Sequence, residues 1–236
     1  MTAQPDQLVH DFGPEAADPH CLTAGEADTL LARSPWRRFV AIGDSIAHGV
    51  GEPTRGYRDL SMADRVAEAL GRIRPEGVNY LNVARIGALT AEIAAEQLHP
   101  ALAFGPDLAL IFAGGNDVLQ GTFDGPTFEA QYDAMVVALQ ERGADVITPT
   151  MFDITKASII PVEYRAPLGK GLARVADRIR AVAARRGTML IEFADHPASA
   201  DDGIYSSDLR HGNRRGHAIA AAALIRELGR RLSRTP

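Results

Sequence analysis

The sequence has little cysteine and no long apolar run, and each shortage excludes a class of protein. Cys21 is the one cysteine among 236 residues, so neither an internal disulfide nor a cysteine-based zinc or iron–sulfur centre can form. No apolar run approaches the roughly 20 residues of a transmembrane helix. Residues 1–20 lack a basic cap and an apolar stretch, so we expect no signal peptide and predict a cytoplasmic protein.

Positive charge is also in short supply. Lys and Arg number 25 against 30 Asp and Glu, which gives a net charge of −5. Without a basic surface to attract phosphate backbones, nucleic acid is not an expected partner. Hydrophobic residues make up 46% and charged residues 23% of the chain, which is ordinary globular composition. The sequence does not specify an oligomeric state, and a monomer is compatible with it.

The chain divides into an N-terminal arm, residues 1–37, and a single domain, residues 38–236. Residues 1–20 carry three prolines, several acids and no periodic apolar face, which is typical of a loose or draped segment. A short helix is predicted after Thr23, which would serve as its N-cap, with Leu30 and Leu31 facing inward.

From Arg38 onward, apolar runs alternate with segments of helical period. The runs predict five buried strands, at 39–42, 80–83, 108–112, 146–147 and 189–191. The apolar stripes predict helices over 58–71, 126–142, 168–186 and 213–232. Such alternation favours an α/β fold whose parallel sheet is covered on both faces. Function in these folds lies in the loops at the carboxyl ends of the strands.

Three of those loops carry polar or glycine-containing motifs. Gly-Asp-Ser follows the first strand and ends at Ser45, a glycine follows the second strand at Gly87, and Gly-Gly-Asn-Asp follows the third and contains Asn116. A serine at a strand-to-helix turn can become a nucleophile beside free backbone N–H groups. Each motif by itself is also good turn chemistry, so no single one of them identifies a site.

The C-terminal segment adds an acid and a histidine three residues apart, Asp208 and His211, just before the last predicted helix. A carboxylate that accepts from one ring nitrogen leaves the other nitrogen free to take a proton from a serine. An isolated Asp-x-x-His is more often a pair of solvated polar residues. Its combination with the three loop motifs, in this order, favours a functional site over a pair of solvated residues.

The set resembles the SGNH hydrolases, also called the GDSL esterase/lipase family. The resemblance runs from about Phe39 to Leu228, and the stretch from His211 to His217 is similar to the family ending H-x-N-x-x-G-H. It implies a three-layer α/β/α sandwich with a five-stranded parallel sheet, of flavodoxin-like character. It also implies a structural place for His217 on the last helix.

The same resemblance implies a role for each motif residue. Ser45 would be the nucleophile, His211 the general base and then acid, and Asp208 the group that orients the imidazole. The oxyanion hole would consist of the backbone N–H groups of Ser45 and Gly87 with the side chain of Asn116. The implied substrate is a small-molecule ester, and no metal or organic cofactor is implied.

Residues that would contact the substrate are less sharply indicated. His48 lies three positions after Ser45, near the same mouth, although a surface or capping role suits it too. The segment 151–167, with Ile159, Ile160 and Tyr164, is long and unusually apolar for a connection. It either walls an acyl pocket or packs over the end of the sheet, and the sequence does not decide between them.

Three functions fit these residues. The first is an esterase that cleaves a small ester, acetyl or thioester substrate through an acyl-enzyme on Ser45. The second is an acyltransferase that uses the same triad with another acceptor. The third is a non-catalytic flavodoxin-like binding module, which the acid Asp44 in the first loop disfavours because it would repel phosphate. Two acidic stretches, 195–196 and 201–202, imitate metal ligands but lack a further histidine at ligand spacing, so no metal site is predicted.

Overall fold

A five-stranded sheet runs through the centre of the computed structural model, which describes residues 12–234. All strand pairs are parallel, and the order across the sheet is β2-β1-β3-β4-β5. The predicted parallel α/β sheet is therefore confirmed. Its strands are β1 (Arg38–Gly43), β2 (Asn79–Asn82), β3 (Leu108–Phe112), β4 (Asp145–Pro149) and β5 (Met189–Ile191).

Helices cover both faces of this sheet. One layer consists of α2, α4 and α10, which pack on one another, and the other contains α8 and α9. No helix within residues 12–234 is long and apolar enough to cross a membrane. The helices are α1 (Gly13–Ala17), α2 (Ala24–Leu31), α3 (Ser45–His48), α4 (Met62–Arg72), α5 (Thr90–Glu92), α6 (Leu98–Phe104), α7 (Gly115–Leu119), α8 (Gly125–Glu141), α9 (Val162–Arg186) and α10 (Arg214–Arg234).

The two central strands explain why the sheet is covered on both sides. All five residues of β3, and all of β1 after Arg38, are buried. In register, Val40 of β1 lies opposite Leu81 of β2 and Ala109 of β3. Strands that are apolar on both faces need a helical layer on each side, which is what the three-layer sandwich provides.

The strand order also locates the functional edge. The chain leaves β1 for the layer of α4 and leaves β3 for the layer of α8, although β1 and β3 are neighbours. The connections after β1 and β3 therefore run to opposite faces of the sheet. The carboxyl ends of these two strands mark a topological switch point, where open α/β sheets form their ligand crevice. Ser45 follows β1 and Asn116 follows β3, so the fold brings both loops to this crevice.

Helix boundaries differ from the sequence prediction in three places. Helix α9 begins at Val162, six residues before the expected 168, so Tyr164 is helical and the predicted 151–167 loop is shorter. Its first turns lack an apolar stripe because Val162 and Tyr164 face solvent. Helix α4 begins only at Met62, because Ser61 caps it through a capping box. Residues 90–104 are helical, with a π-helical stretch at Ile93–Gln97, although no periodic pattern predicted a helix there.

The N-terminal arm is tied to the domain over its described part. Thr23 forms a capping box at the start of α2, and Leu31 is buried. Buried Glu15 accepts two hydrogen bonds from Arg65, at 2.6 and 2.9 Å. Residues 1–11 of the predicted loose segment lie outside the described residues.

Candidate active site

Ser45 is presented by a sharp turn at the end of β1. Gly43 has φ of +149°, and a Cβ there would lie 2.3 Å from the carbonyl oxygen of Phe112, so only glycine fits. The Asp44 carboxylate accepts from the Ile46 N–H at 2.9 Å and caps α3. Ser45 is the first residue of that helix and is 5% exposed. The turn therefore fixes the serine at the sheet edge.

A buried glutamine holds this turn from behind. Gln97 Oε1 accepts from the Gly43 N–H at 2.7 Å, and Gln97 Nε2 donates to the Gly43 carbonyl at 2.9 Å. The side chain comes from the π-helical stretch Ile93–Gln97 and is 4% exposed. Sequence reasoning missed this residue because nothing within the local pattern links it to a glycine 54 positions away.

His211 and Asp208 complete a hydrogen-bond chain with the serine. The distance from His211 Nε2 to Ser45 Oγ is 2.7 Å, and the distance from His211 Nδ1 to Asp208 Oδ2 is 2.6 Å. The carboxylate accepts at Nδ1–H, so Nε2 is left without a proton and can accept from the serine hydroxyl. The three side chains that the motifs singled out thus meet in one place.

The Asp208 carboxylate also shapes its own loop. Its Oδ1 accepts from the backbone N–H groups of Arg210 at 3.0 Å and His211 at 3.1 Å. Partial desolvation raises the pKa of Asp208, but hydrogen bonds from the His211 ring and from these two N–H groups outweigh it and leave the pKa below its ordinary value. The group is therefore ionised and anchored when it faces the imidazole.

Hydrogen bonds to the segment after α3 hold that loop against the rest of the molecule. The Ser206 N–H donates to the His211 carbonyl at 2.8 Å. Ser206 Oγ accepts from the Glu52 N–H at 3.1 Å, and the Glu52 carboxylate accepts from the Ser207 N–H at 3.0 Å and from its hydroxyl. The segment after α3 therefore holds residues 206–211, the histidine loop, in place.

Three hydrogen-bond donors belong to residues that line one pocket, Ser45, Gly87 and Asn116. Within residues 12–234, the N–H groups of Ser45 and Gly87 donate no hydrogen bond to another protein group. Gly87 lies in the left-handed region with φ of +79°. Asn116 Nδ2 donates to the Ala88 carbonyl at 3.0 Å, which orients the amide and leaves its second hydrogen free. Such donors can stabilise an oxyanion.

Two buried carboxylates lie behind these donors. Asp117 accepts from the Thr90 hydroxyl at 2.9 Å and thereby ties the Asn116 loop to the start of α5. Burial raises the pKa of Asp44 to about 7, and the nearby charge of Asp117 contributes to the rise. Asp44 therefore carries a proton over part of the neutral range, unlike an ordinary aspartate.

His217 has the structural position that the resemblance implied. Its Nδ1 accepts from the Met62 N–H at 3.2 Å, and its Nε2–H donates to the Val50 carbonyl at 2.9 Å. Burial lowers the pKa of His217 to about 4. The ring therefore stays neutral at physiological pH and joins α10 to α4 and to the segment after α3.

The hydrogen-bond chain opens into an apolar pocket with a volume of about 200 Å³. Part of its wall comes from the segment after β4, as one of the two sequence interpretations expected, and part from helix α9. The apolar side chains of that wall are Met151, Phe152, Ile154, Leu168 and Leu172.

The four residues that the sequence analysis proposed as substrate contacts do not line this pocket. They are His48, Ile159, Ile160 and Tyr164. His48 is exposed on α3, and Tyr164 is 60% exposed on α9. Ile160 is buried in a second apolar cluster with Ile154, against which Ile159 also packs. Of these residues only Tyr164 belongs to α9, where the early start of the helix at Val162 leaves its side chain in solvent.

The acidic stretches considered as imitations of metal ligands have other partners. Asp201 pairs with Arg215 at 2.5 Å, and Asp202 accepts from the Ser158 N–H at 2.6 Å. His196 Nδ1 accepts from the Ala198 N–H at 3.1 Å. Across residues 12–234, no group of three or more His, Cys, Asp or Glu side chains is arranged to hold a metal ion.

Solved structures share this architecture. The lipase/acylhydrolase from Enterococcus faecalis has a TM-score of 0.65 and 22% identity, over 83% of this chain and 96% of its own. An acetylxylan esterase from Geobacillus stearothermophilus, a catalytic mutant, has a TM-score of 0.63 and 20% identity, over 82% and 94%. The lipase Lip_vut3 from a goat rumen metagenome has a TM-score of 0.65 and 18% identity, over 81% and 97%. At these identities the likeness concerns the fold.

The sequence itself matches a family model over most of its length. A search of curated proteins finds no match. The model of the GDSL-like lipase/acylhydrolase family matches residues 41–219, a range that begins in β1 and ends in α10. This range contains the serine turn, the Asn116 loop and the Asp208–His211 loop. The chain belongs to the GDSL-like lipase/acylhydrolase family and is a carboxylic ester hydrolase.

Proposed function

We propose that this hydrolase cleaves a small ester by way of an acyl-enzyme on Ser45. The observation that carries the proposal is the continuous chain of hydrogen bonds from Asp208 through His211 to Ser45, with distances of 2.6 and 2.7 Å. Nucleophile and base are within direct proton-transfer distance, and the base is oriented by a third group.

In the first step, Ser45 Oγ attacks the ester carbonyl carbon while its proton passes to His211 Nε2. The imidazole becomes positively charged, and the Asp208 carboxylate stabilises that charge across the 2.6 Å hydrogen bond to Nδ1. The low pKa of Asp208 keeps the carboxylate ionised for this purpose.

Negative charge then develops on the carbonyl oxygen. The N–H groups of Ser45 and Gly87 and the free amide hydrogen of Asn116 are the donors proposed to receive it. The hydrogen bond from Asn116 to the Ala88 carbonyl preorganises the amide, so little reorganisation is needed as the charge forms. Loss of one such donor typically costs about 100- to 1,000-fold in rate, and Asn116→Ala is expected in this range.

Collapse of the tetrahedral intermediate breaks the bond to the alcohol. His211 returns its proton to the departing alkoxide oxygen, which leaves an acyl group on Ser45. A water molecule then gives its proton to His211 Nε2 and attacks the acyl carbon, and release of the acid restores the Ser45 hydroxyl.

The proposal is tested with p-nitrophenyl acetate, butyrate and octanoate. The wild type is expected to hydrolyse members of this series, and Ser45→Ala to lose several orders of magnitude in kcat/KM. A fluorophosphonate probe is expected to add one label per wild-type molecule, at Ser45, and none to the variant. Intact-mass measurement reads the label directly.

Ser199→Ala is the matched control. Ser199 is also buried and hydrogen-bonded, to the Phe193 carbonyl at 3.0 Å, but it lies outside the pocket lining. Its removal is expected to leave both hydrolysis and labelling in place. Equal turnover by wild type and Ser45→Ala would overturn the nucleophile assignment. Labelling of Ser45 without hydrolysis, together with transfer of the acyl group to an added alcohol, would favour the acyltransferase alternative.

A further inference from the structure

Large apolar side chains border the mouth of the pocket and are exposed to solvent. Ile86 is 56% exposed, Leu119 is 53% exposed and Leu209 is 39% exposed, and all three line the pocket. We call these three residues the apolar rim. Exposed large apolar side chains that gather at one cavity are typical of a binding surface.

Each member of the rim comes from a different segment of the candidate site. Ile86 immediately precedes Gly87, Leu119 lies one helical turn after Asn116, and Leu209 immediately follows Asp208. The rim therefore surrounds the place where the ester carbonyl would lie, and its position follows from the loops that hold the polar groups.

Leu209 has an unusual backbone conformation. Among residues 12–234 it is the one non-glycine residue with positive φ, at 57°. The left-handed conformation is unfavourable for a residue with a Cβ, and glycine or asparagine normally takes such a position. A leucine held there loses stability that a glycine would not lose.

The loop itself requires this conformation. Asp208 Oδ1 accepts from the N–H groups of both Arg210 and His211, and the Leu209 N–H donates to the Ser206 carbonyl at 3.2 Å. These bonds close a tight turn around position 209. Glycine would adopt this backbone conformation without strain. The presence of leucine therefore indicates that its side chain has a function.

We infer that the apolar rim is a subsite for the alkyl chain of the ester, and that Leu209 is its strained specificity-determining residue. The inference rests on the proposed function and narrows its substrate class to esters with an alkyl chain longer than acetyl. Such a chain runs from the apolar pocket across the rim and removes the three side chains from water. An acetyl group has a single methyl and no chain that could lie along these side chains.

The test compares chain-length preference in Leu209→Ala and Leu209→Gly. The kcat/KM ratio of p-nitrophenyl octanoate to acetate is expected to fall about five- to tenfold in both variants, since each buried methylene contributes about fourfold. The ratio is used because a looser loop slows all esters alike, whereas loss of an alkyl contact slows only the long ones. All esters are kept below the concentration at which they aggregate, so that the measured rates refer to monomeric substrate.

A second measurement isolates the backbone strain. Both variants lack the leucine side chain, but only glycine adopts the left-handed conformation without steric strain. The melting temperature of Leu209→Gly is therefore expected to exceed that of Leu209→Ala by about 2–4 °C.

Val162→Ser is the matched control, because Val162 is 75% exposed and lies outside the pocket lining. It is expected to keep the wild-type ratio. If the Leu209 variants also keep the ratio within twofold while Ser45→Ala is inactive, the rim inference is wrong and the proposed function stands. If the wild type hydrolyses none of the esters, both fail.

Discussion

The two halves of the candidate site are built differently. The serine half lies in the interior, where the Gly43 turn is held by Gln97 and the Asn116 loop by Asp117 and Thr90. The histidine half lies at the surface, where Asp208 is exposed and the loop is held through Glu52. Buried hydrogen bonds that lose a partner cost stability, whereas exposed ones can exchange with water.

This contrast separates two kinds of effect. Changes in the surface half are expected to lower activity with little change in stability, because water replaces the lost contacts. Changes in the interior half are expected to appear in the free energy of unfolding. The following substitutions test that separation, from the largest expected effect to the smallest.

Asp208→Asn is expected to lower kcat/KM about 10,000-fold. The amide nitrogen would donate to His211 Nδ1, so the proton of the ring would move to Nε2, which then cannot accept from Ser45. The melting temperature is expected to stay within about 2 °C, because the amide oxygen can keep the bonds from the loop N–H groups. Steady-state kinetics and thermal unfolding measure the two quantities. A large loss of stability would contradict the contrast.

Asp44→Asn is expected to change how stability depends on pH. Burial raises the pKa of Asp44 from 3.8 to about 7, so the folded state binds the proton more tightly than the unfolded state. The contribution of Asp44 to the free energy of unfolding therefore falls as pH rises from about 4 to about 7 and is level above that.

The asparagine variant keeps the cap on Ile46 but has no proton to lose. Its free energy of unfolding relative to the wild type is expected to rise across this window, by up to about 4 kcal/mol. Urea unfolding at pH 5 and pH 8 gives the comparison. Parallel values for the two proteins would show that Asp44 titrates normally.

Gln97→Leu removes the clamp on Gly43. The Gly43 carbonyl keeps its bond from the Arg85 N–H at 3.1 Å, but the Gly43 N–H is left buried without a partner. The expected loss is about 2 kcal/mol, or about 4–8 °C in melting temperature. Gln140→Leu is the matched control, because Gln140 also donates to a carbonyl, that of Arg186, but at the surface. Equal losses of melting temperature in the two variants would show that a buried and an exposed hydrogen bond contribute alike to stability.

Glu52→Ala is expected to have the smallest effect. Water can take over the bonds that its carboxylate accepts from Ser207, so the melting temperature should change by less than about 2 °C. A freer histidine loop is expected to lower kcat/KM about two- to fivefold. Unchanged kinetics would mean that the backbone contacts of Ser206 hold the loop alone.

Sequence reasoning predicted the sheet and the meeting of the motif residues, and both follow from local patterns. Five apolar runs indicate buried strands, and parallel strands place their following loops at one edge. The carboxylate three residues before His211 can reach the imidazole across a single turn of the chain. The catalytic roles of these residues and the cytoplasmic location stay predictions.

The features that sequence reasoning missed leave no recognisable pattern in the local sequence. Gln97 acquires its role because a π-helical turn places it behind β1. The first turns of α9 have no apolar stripe to reveal them, since Val162 and Tyr164 face water. The left-handed conformation of Leu209 comes from hydrogen bonds around it, and leucine gives no local signal for it.

The hydrogen bond between Ser45 and His211 joins residues 166 positions apart. On a ribosome the serine turn is synthesised long before the histidine loop. Contacts of such separation are costly to close and form late in folding. The growing chain is therefore expected to lack esterase activity until Asp208 and His211 have emerged, so the onset of activity would mark the docking of the histidine loop.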